Sequence, residues 1–348
     1  MADRPGPSRP GLPRVMVALF LLMAALSLVA TALSIVLDYG RSPIDPRGGA
    51  SPVVFEIPRG AHFRDAVTIL REKGLVKKEF FFHVLARFRN APNHIRAGEY
   101  EISMGDSPDA LLTKLLRGEI KGYRMPFPEG FTVRQIAERL SQWGLVDYET
   151  FIARCRDPVL LEDLGIQGGS VEGYLYPETY ILTRSMGEEG IIRYMVREFR
   201  KRQRPEWDGE AEKRGLTFEE IIVMASMIEK EASLPEEKPL ISAVFHNRLK
   251  RGMRLQSDPT VIYGLTDFDG NLKKSHLRQN MPYNTYVHEG LPPGPICNPG
   301  EASIEAALRP APVSYLYFVA RNDGSHHFST TLSHHREAVI KYQIRKEK

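Results

Sequence analysis

Cysteine is nearly missing from this chain, and its scarcity removes whole classes of chemistry. Cys155 and Cys297 are the only two in 348 residues, far apart and without the paired spacing of a structural zinc site or a redox motif. They can pair in an oxidising compartment, and two unrelated buried thiols fit the sequence equally well. No G-x-S-x-G turn is present to expose a nucleophilic serine. Charge of one sign is scarce as well. Lys and Arg number 47 against 43 Asp and Glu, a net +4, too little to argue for nucleic acid. Four late histidines (His326, His327, His334 and His335) match no H-E-x-x-H spacing and have no cysteine or acidic cluster beside them. No metal and no other cofactor is expected.

What the chain does have is one long apolar run. Residues 15–37, VMVALFLLMAALSLVATALSIVL, contain no charge. A bilayer core takes about 20 apolar residues, whereas the core of a signal peptide runs to about 15. Arg4, Arg9 and Arg14 precede the run and Asp38 follows it. Positive charge is retained in the cytoplasm, so the N-terminus is expected inside and the rest of the chain outside. Ala30-Thr31-Ala32 resembles a cleavage site, and the rival reading is a removed signal peptide; the length favours an anchor. The whole chain is 42% hydrophobic and 26% charged, the composition of folded domains.

Residues 38–52, rich in Gly, Pro and Ser, read as a linker. A repeat follows. Residues 57–81 and 127–151 align without a gap, sharing Pro58/Pro128, Gly60/Gly130, Arg64/Arg134, Gly74/Gly144, Leu75/Leu145, Val76/Val146, Glu79/Glu149 and Phe81/Phe151. Each copy reads as a strand, a Pro-x-Gly turn and a helix closed by glycine. With a strand at 95–103 and a capped helix at 107–117, the first copy predicts a β-α-α-β-α module over about 53–122. A helix is expected over 187–204.

The helix expected at 217–233, TFEEIIVMASMIEKEAS, opens with a Thr217/Glu220 capping box. At about 100° per residue, Glu229 falls among Phe218, Ile222 and Ala225, in the apolar sector. Glu220 and Glu231 point the other way, as solvated carboxylates do. Burying an ionised carboxyl is costly, so Glu229 is paired, neutral, or lining a cleft. A glutamate that holds its proton in an apolar pocket is what general-acid chemistry on a glycosidic bond requires; the ordinary alternative is a salt-bridged glutamate at the end of a core helix.

Several polar segments are candidates to meet a substrate beside it. Gln256, Ser257 and Asp258 form a polar cap before Pro259, and Tyr263 follows on a short helix. Asn284 and Tyr286 lie in a long proline-stiffened stretch, and such ordered loops are usually functional. In VEGYLYPETY (171–180), Glu172, Tyr176 and Glu178 combine aromatic faces with carboxylates, a pairing that suits sugars and also occurs in plain loops. If a second carboxylate is needed, Asp258 comes first, then Glu172 or Glu178. Residues 315–320, YLYFVA, read as a buried strand.

The runs ASMIEKEA, VFHNRLKRGMRLQSDPTVIYGL, YNTY, GLPPGPI and YLYFVA, with EGYLYPETY and FPEGFT before them, resemble the MltG/YceG family of endolytic murein transglycosylases. That resemblance covers about 50–345. It implies an α+β fold with an N-terminal transmembrane helix, a LysM-like module and a mixed α+β catalytic domain. It implies Glu229, the first glutamate of IEKEA, as the catalytic acid/base, leaving Glu231 dispensable. The family's G-x-H-x-F and late histidine fall on His326 and His335, and His326 joins the expected substrate contacts. The expected organisation is a cytoplasmic tail (1–14), a transmembrane helix (15–37), a linker (38–52), the LysM-like module (53–122), a second repeat with connecting region (123–215) and the catalytic domain (216–345). The expected activity is cleavage of the MurNAc–GlcNAc β-1,4 bond in nascent peptidoglycan strands, giving 1,6-anhydroMurNAc ends and ending strand elongation. The enzyme is expected to sit in the inner membrane, its catalytic domain in the periplasm, beside peptidoglycan synthases (penicillin-binding proteins). The alternatives are a hydrolytic muramidase using Glu229 and Asp258, and a membrane-tethered glycan-binding scaffold.

Overall fold

A computed structural model describes residues 12–47 and 51–344. The first element, α1 (Leu12–Arg41), is long and apolar enough to cross a membrane, with a mean hydropathy of 2.5 in its apolar window. The rest is mixed α and β, in two compact units that divide between Gly122 and Tyr123.

The first unit continues with β1 (Val53–Ile57), α2 (Phe63–Glu72), α3 (Glu79–Phe88), β2 (Gly98–Ile102) and α4 (Pro108–Arg117). The strands pair antiparallel, with Phe55 opposite Tyr100. One face of the pair packs on the helices through Phe55, Ile57, Leu70, Phe82, Tyr100 and Leu111. Ser107 accepts from the Ala110 N–H at the start of α4, Pro108 sits where no hydrogen bond is lost, and Gly118 ends the helix in the left-handed region.

The linker expected at 38–52 is largely part of this unit. Residues 38–41 complete α1, and Val36 and Ile44 are buried in the core. The Ile44 and Asp45 N–H groups donate to the Asp106 and Met104 carbonyls at 2.9 and 2.8 Å, and Lys77 Nζ donates to the Ile44 carbonyl. An apolar isoleucine among polar linker residues is what fastens the segment. Residues 48–50, and residues 1–11 of the expected tail, lie outside the described residues.

The second unit runs β3 (Tyr123–Pro126), α5 (Val133–Gln142), α6 (Tyr148–Arg154), α7 (Pro158–Asp163), β4 (Thr179–Leu182), α8 (Gly187–Arg202), α9 (Trp207–Lys213), α10 (Phe218–Glu231), α11 (Lys238–Lys250), α12 (Asp258–Gly264), α13 (Glu301–Leu308), β5 (Tyr317–Ala320), β6 (His326–Ser329) and α14 (Leu332–Val339). The sequence repeat is a structural one. Gly60 and Gly130 share a φ near +79°, and Gly74 and Gly144 are both left-handed, at +73° and +62°. The second copy has no core of its own. Its Ile136, Ala137 and Leu140 belong to one continuous core with α8, α10 and α13, and Trp207 and Phe199 pack their rings against Phe218. No core boundary therefore falls near residue 215. α10 is the centre of this unit, with α9, α11, α12 and α13 packed around it. The strand expected at 315–320 begins at Tyr317, and it is half-buried, because its sheet is only the antiparallel hairpin it forms with β6.

Candidate active site

α10 starts as the sequence requires, with Thr217 and Glu220 exchanging side-chain-to-backbone hydrogen bonds. From Phe218 to Ile228 almost every residue is buried, including Ser226 on the flank away from the isoleucines. A helix covered on all sides has no solvent face, so a position on its wheel does not separate a buried carboxylate from a solvated one. The last turn settles the matter by what meets it.

Glu229 meets cations and donors. Lys238 Nζ lies 3.1 Å from Oε2, the Ser303 hydroxyl donates to the same oxygen at 2.6 Å, and the Gly300 N–H donates at 3.1 Å. Gly300 is the N-cap of α13, so the carboxylate also sits on a helix N-terminus. Its side chain is 9% exposed and that of Lys238 is 7%. Lys238 reaches Glu129 as well, at 3.7 Å. Of the three states open to Glu229, the structure selects the paired one: a clamp joining α10, α11 and α13.

Glu231 does not point into solvent. It lines a cavity of about 340 Å³ with Arg248, Leu255, Gln256, Asp258, Tyr286, Phe318 and His335. Among the described residues its one side-chain hydrogen bond is from the Ser257 hydroxyl, at 2.5 Å. Burial pushes its carboxyl up to about 7; the Ser257 bond opposes this and the Asp258 charge adds to it. The expectation that Glu231 is solvated is therefore corrected. The two carboxylates are two residues apart, about 200° around the helix. Opposite faces of a fully covered helix are both interior.

The cavity's other walls come from distant segments. Gln256 has a left-handed backbone, φ 51°, held by its N–H on the Thr285 carbonyl, and the Ser257 N–H donates to Thr285 Oγ1. That turn aims Ser257 at Glu231. The Tyr286 hydroxyl donates to Asp258 at 2.6 Å. Arg248 is buried and braces the frame, donating to the carbonyls of Leu316 and Leu255 at 2.7 and 2.8 Å. His335 stacks on Tyr317, its Nδ1 is buried without a hydrogen-bond partner among the described residues, and burial lowers its basicity. Arg248 and Leu255 lie in the run VFHNRLKRGMRLQSDPTVIYGL and Phe318 in YLYFVA, but neither run says which of its residues face the cavity; His335 was marked by the family histidine.

Of the expected contacts, Gln256, Ser257, Asp258 and Tyr286 converge here. The others lie elsewhere. Asn284 is spent inside its loop, donating to the His276 and Gln279 carbonyls and accepting from the Tyr286 N–H. His326 is one layer behind, bonded to Glu237 at 2.6 Å with its ring against Phe318. Tyr176 and Glu178 are held by Arg202, which stacks on the one and pairs with the other at 3.1 Å. Glu172 is buried, accepting from the Val133 N–H, Asn298 and the Tyr263 hydroxyl. Burial pushes it up to about 7, and it lines a separate cavity of about 500 Å³ with Tyr263.

A profile of the YceG-like family matches residues 55–341. The chain belongs to that family. It is 31% identical over 322 residues to an endolytic murein transglycosylase of Bacillus subtilis, a match covering 87% of this chain and 89% of the relative. It is 30% identical to an endolytic murein transglycosylase of Streptococcus pneumoniae strain D39, where the match covers 83% of this chain and 58% of that longer relative. A 2.6 Å crystal structure of a yceG-like protein from Listeria monocytogenes superimposes with a TM-score of 0.57 at 32% identity, covering 83% of this chain and all of that one.

Proposed function

We infer that this family member is an endolytic murein transglycosylase, a lyase acting on peptidoglycan glycan strands, and we propose Glu231 as its acid/base. The observation that carries the residue assignment is the cavity around a single glutamate whose burial holds its proton to about neutral pH. Glu229 is spent on Lys238, Gly300 and Ser303 and does not line that space.

In the proposed reaction the Glu231 carboxyl gives its proton to the bridging oxygen of a MurNAc–GlcNAc β-1,4 bond as the anomeric C–O bond breaks. The resulting carboxylate takes the proton from the 6-hydroxyl of the same MurNAc, whose oxygen attacks the anomeric carbon. A 1,6-anhydro end forms, no water is consumed, and Glu231 ends protonated as it began. Asp258, held by Tyr286, would set its carboxyl oxygens beside the developing positive charge. Cleavage inside nascent strands would end their elongation, beside peptidoglycan synthases. α1 would be the single inner-membrane anchor, with its N-terminus cytoplasmic and both units periplasmic. The first unit, two antiparallel strands around two helices, supports a LysM-like, glycan-contacting role.

Because Asp258 shares the cavity with Glu231, hydrolysis by a carboxylate pair is the second reading. Mass spectrometry of products from purified strands decides between them. Anhydro ends are the expected result, and ends heavier by one water (about 18 Da), as a hydrolase leaves them, would overturn it.

A further inference from the structure

The larger cavity, about 500 Å³ and within the range of ligand sites, plays no part in the proposed bond cleavage. Arg134 and Arg156 stand on its rim, and among the described residues neither guanidinium has an ion pair or a hydrogen bond. The rings of Tyr263 and Tyr283 form one wall, 4.9 Å apart between centroids, and Glu219 stands on another. The buried Glu172 lies at the base, its carboxyl oxygens already occupied by Val133, Asn298 and Tyr263, so it has little left to offer a ligand.

Two free guanidinium forks above a tyrosine wall recognise carboxylates attached to an otherwise uncharged body. The placement says which carboxylates. α12 contributes Asp258, at its first residue, to the Glu231 cavity and Tyr263, near its last, to this one. Five residues of helix separate the two by about 8 Å. A ligand reaching both is a chain with a side branch. Murein is such a molecule, a neutral glycan bearing short acidic peptides.

We propose that the Arg134–Arg156 cavity is a subsite for the acidic stem peptide of the glycan strand, so that the enzyme reads the peptide while the Glu231 cavity holds the sugars. This rests on the murein reading above. It makes peptide-bearing strands the preferred substrate.

The test uses the full chain in detergent and two substrates: glycan strands with their peptides, and the same strands stripped of peptides by an amidase. Wild type is expected to show a higher kcat/KM on the first. The R134A/R156A double variant, altered at exposed positions, is expected to lower the ratio of the two values roughly tenfold, the scale of a lost charge-assisted hydrogen bond. Lysine at both positions should restore only part of it, since the fork is gone. Equal wild-type rates on both substrates, a ratio unchanged in the double variant, or a parallel fall on both substrates would each overturn the proposal. E231Q, assayed on the same pair, reports on the acid assignment alone, so failure of one reading is separable from failure of the other.

Discussion

The last turn of α10 carries two glutamates on opposite sides of one helix, and the two sides differ in what they supply to a carboxylate. On the Glu229 side stand a lysine 3.1 Å away, a hydroxyl and a helix N-terminus. All three pair with the carboxylate, and through these contacts it ties three helices together. On the Glu231 side stand one hydroxyl, a second carboxylate and open volume. There the charged form is penalised and the proton is kept. The same residue type, in the same turn, is a structural clamp on one side and, in the proposed reaction, the acid on the other. Depth of burial does not separate them; the balance of donors against empty space does.

The comparison breaks most visibly at Glu231. E231Q keeps the shape and loses the proton, so strand cleavage should fall by about 10²–10⁴-fold, the usual size of a general acid/base contribution, with an unchanged circular dichroism spectrum. E229Q should do the reverse. It leaves Lys238 buried without its full counter-charge, which costs on the order of 3 kcal/mol and lowers the melting temperature by roughly 6–12 °C, while the protein still folded at assay temperature turns over strands. A melting curve and an activity assay on each variant check both halves. If E229Q is inactive and stable while E231Q is active, the roles are reversed.

The pH dependence gives a smaller effect of defined sign. Glu231 and Glu172 each have a folded value near 7, raised above the 4.5 of an ordinary glutamate. Below about 4.5 both states carry the proton and the stabilising contribution of the protonated groups is fully present; it is lost as pH rises through 7. The melting temperature should therefore decline across that window, less steeply in E231Q than in wild type. Turnover should fall along the basic limb as the acid ionises. The mildest change is S257A. The Ser257 hydroxyl favours the ionised form of Glu231, so its removal should move the basic limb of the rate profile upward, and a downward shift would contradict that role.

Much of this was legible in the chain, for reasons that mark the limit. The apolar N-terminal helix, the first unit and the start of α10 followed from local patterns: an uncharged run, alternating strands, and the Ser107 and Thr217 caps. The polar segment 256–258 and Tyr286 were visible as chemistry waiting for a partner. Which glutamate was that partner was not legible, because a helical wheel assumes one solvent face and α10 has none over residues 221–228. The groups that decide it, Lys238, Gly300 and Ser303 against Ser257 and His335, arrive from up to about a hundred residues away in sequence, and periodicity within a helix carries no information about them. The linker failed for a local reason: Ile44 outweighed its Gly- and Pro-rich neighbours.

The most direct test of the central claim is the titration of Glu231 itself, read by infrared difference spectroscopy of wild type against E231Q in the protonated-carboxyl band. The account predicts that one carboxyl, absent from the variant, ionises with a midpoint near 7. A midpoint at the ordinary glutamate value of 4.5 would contradict it.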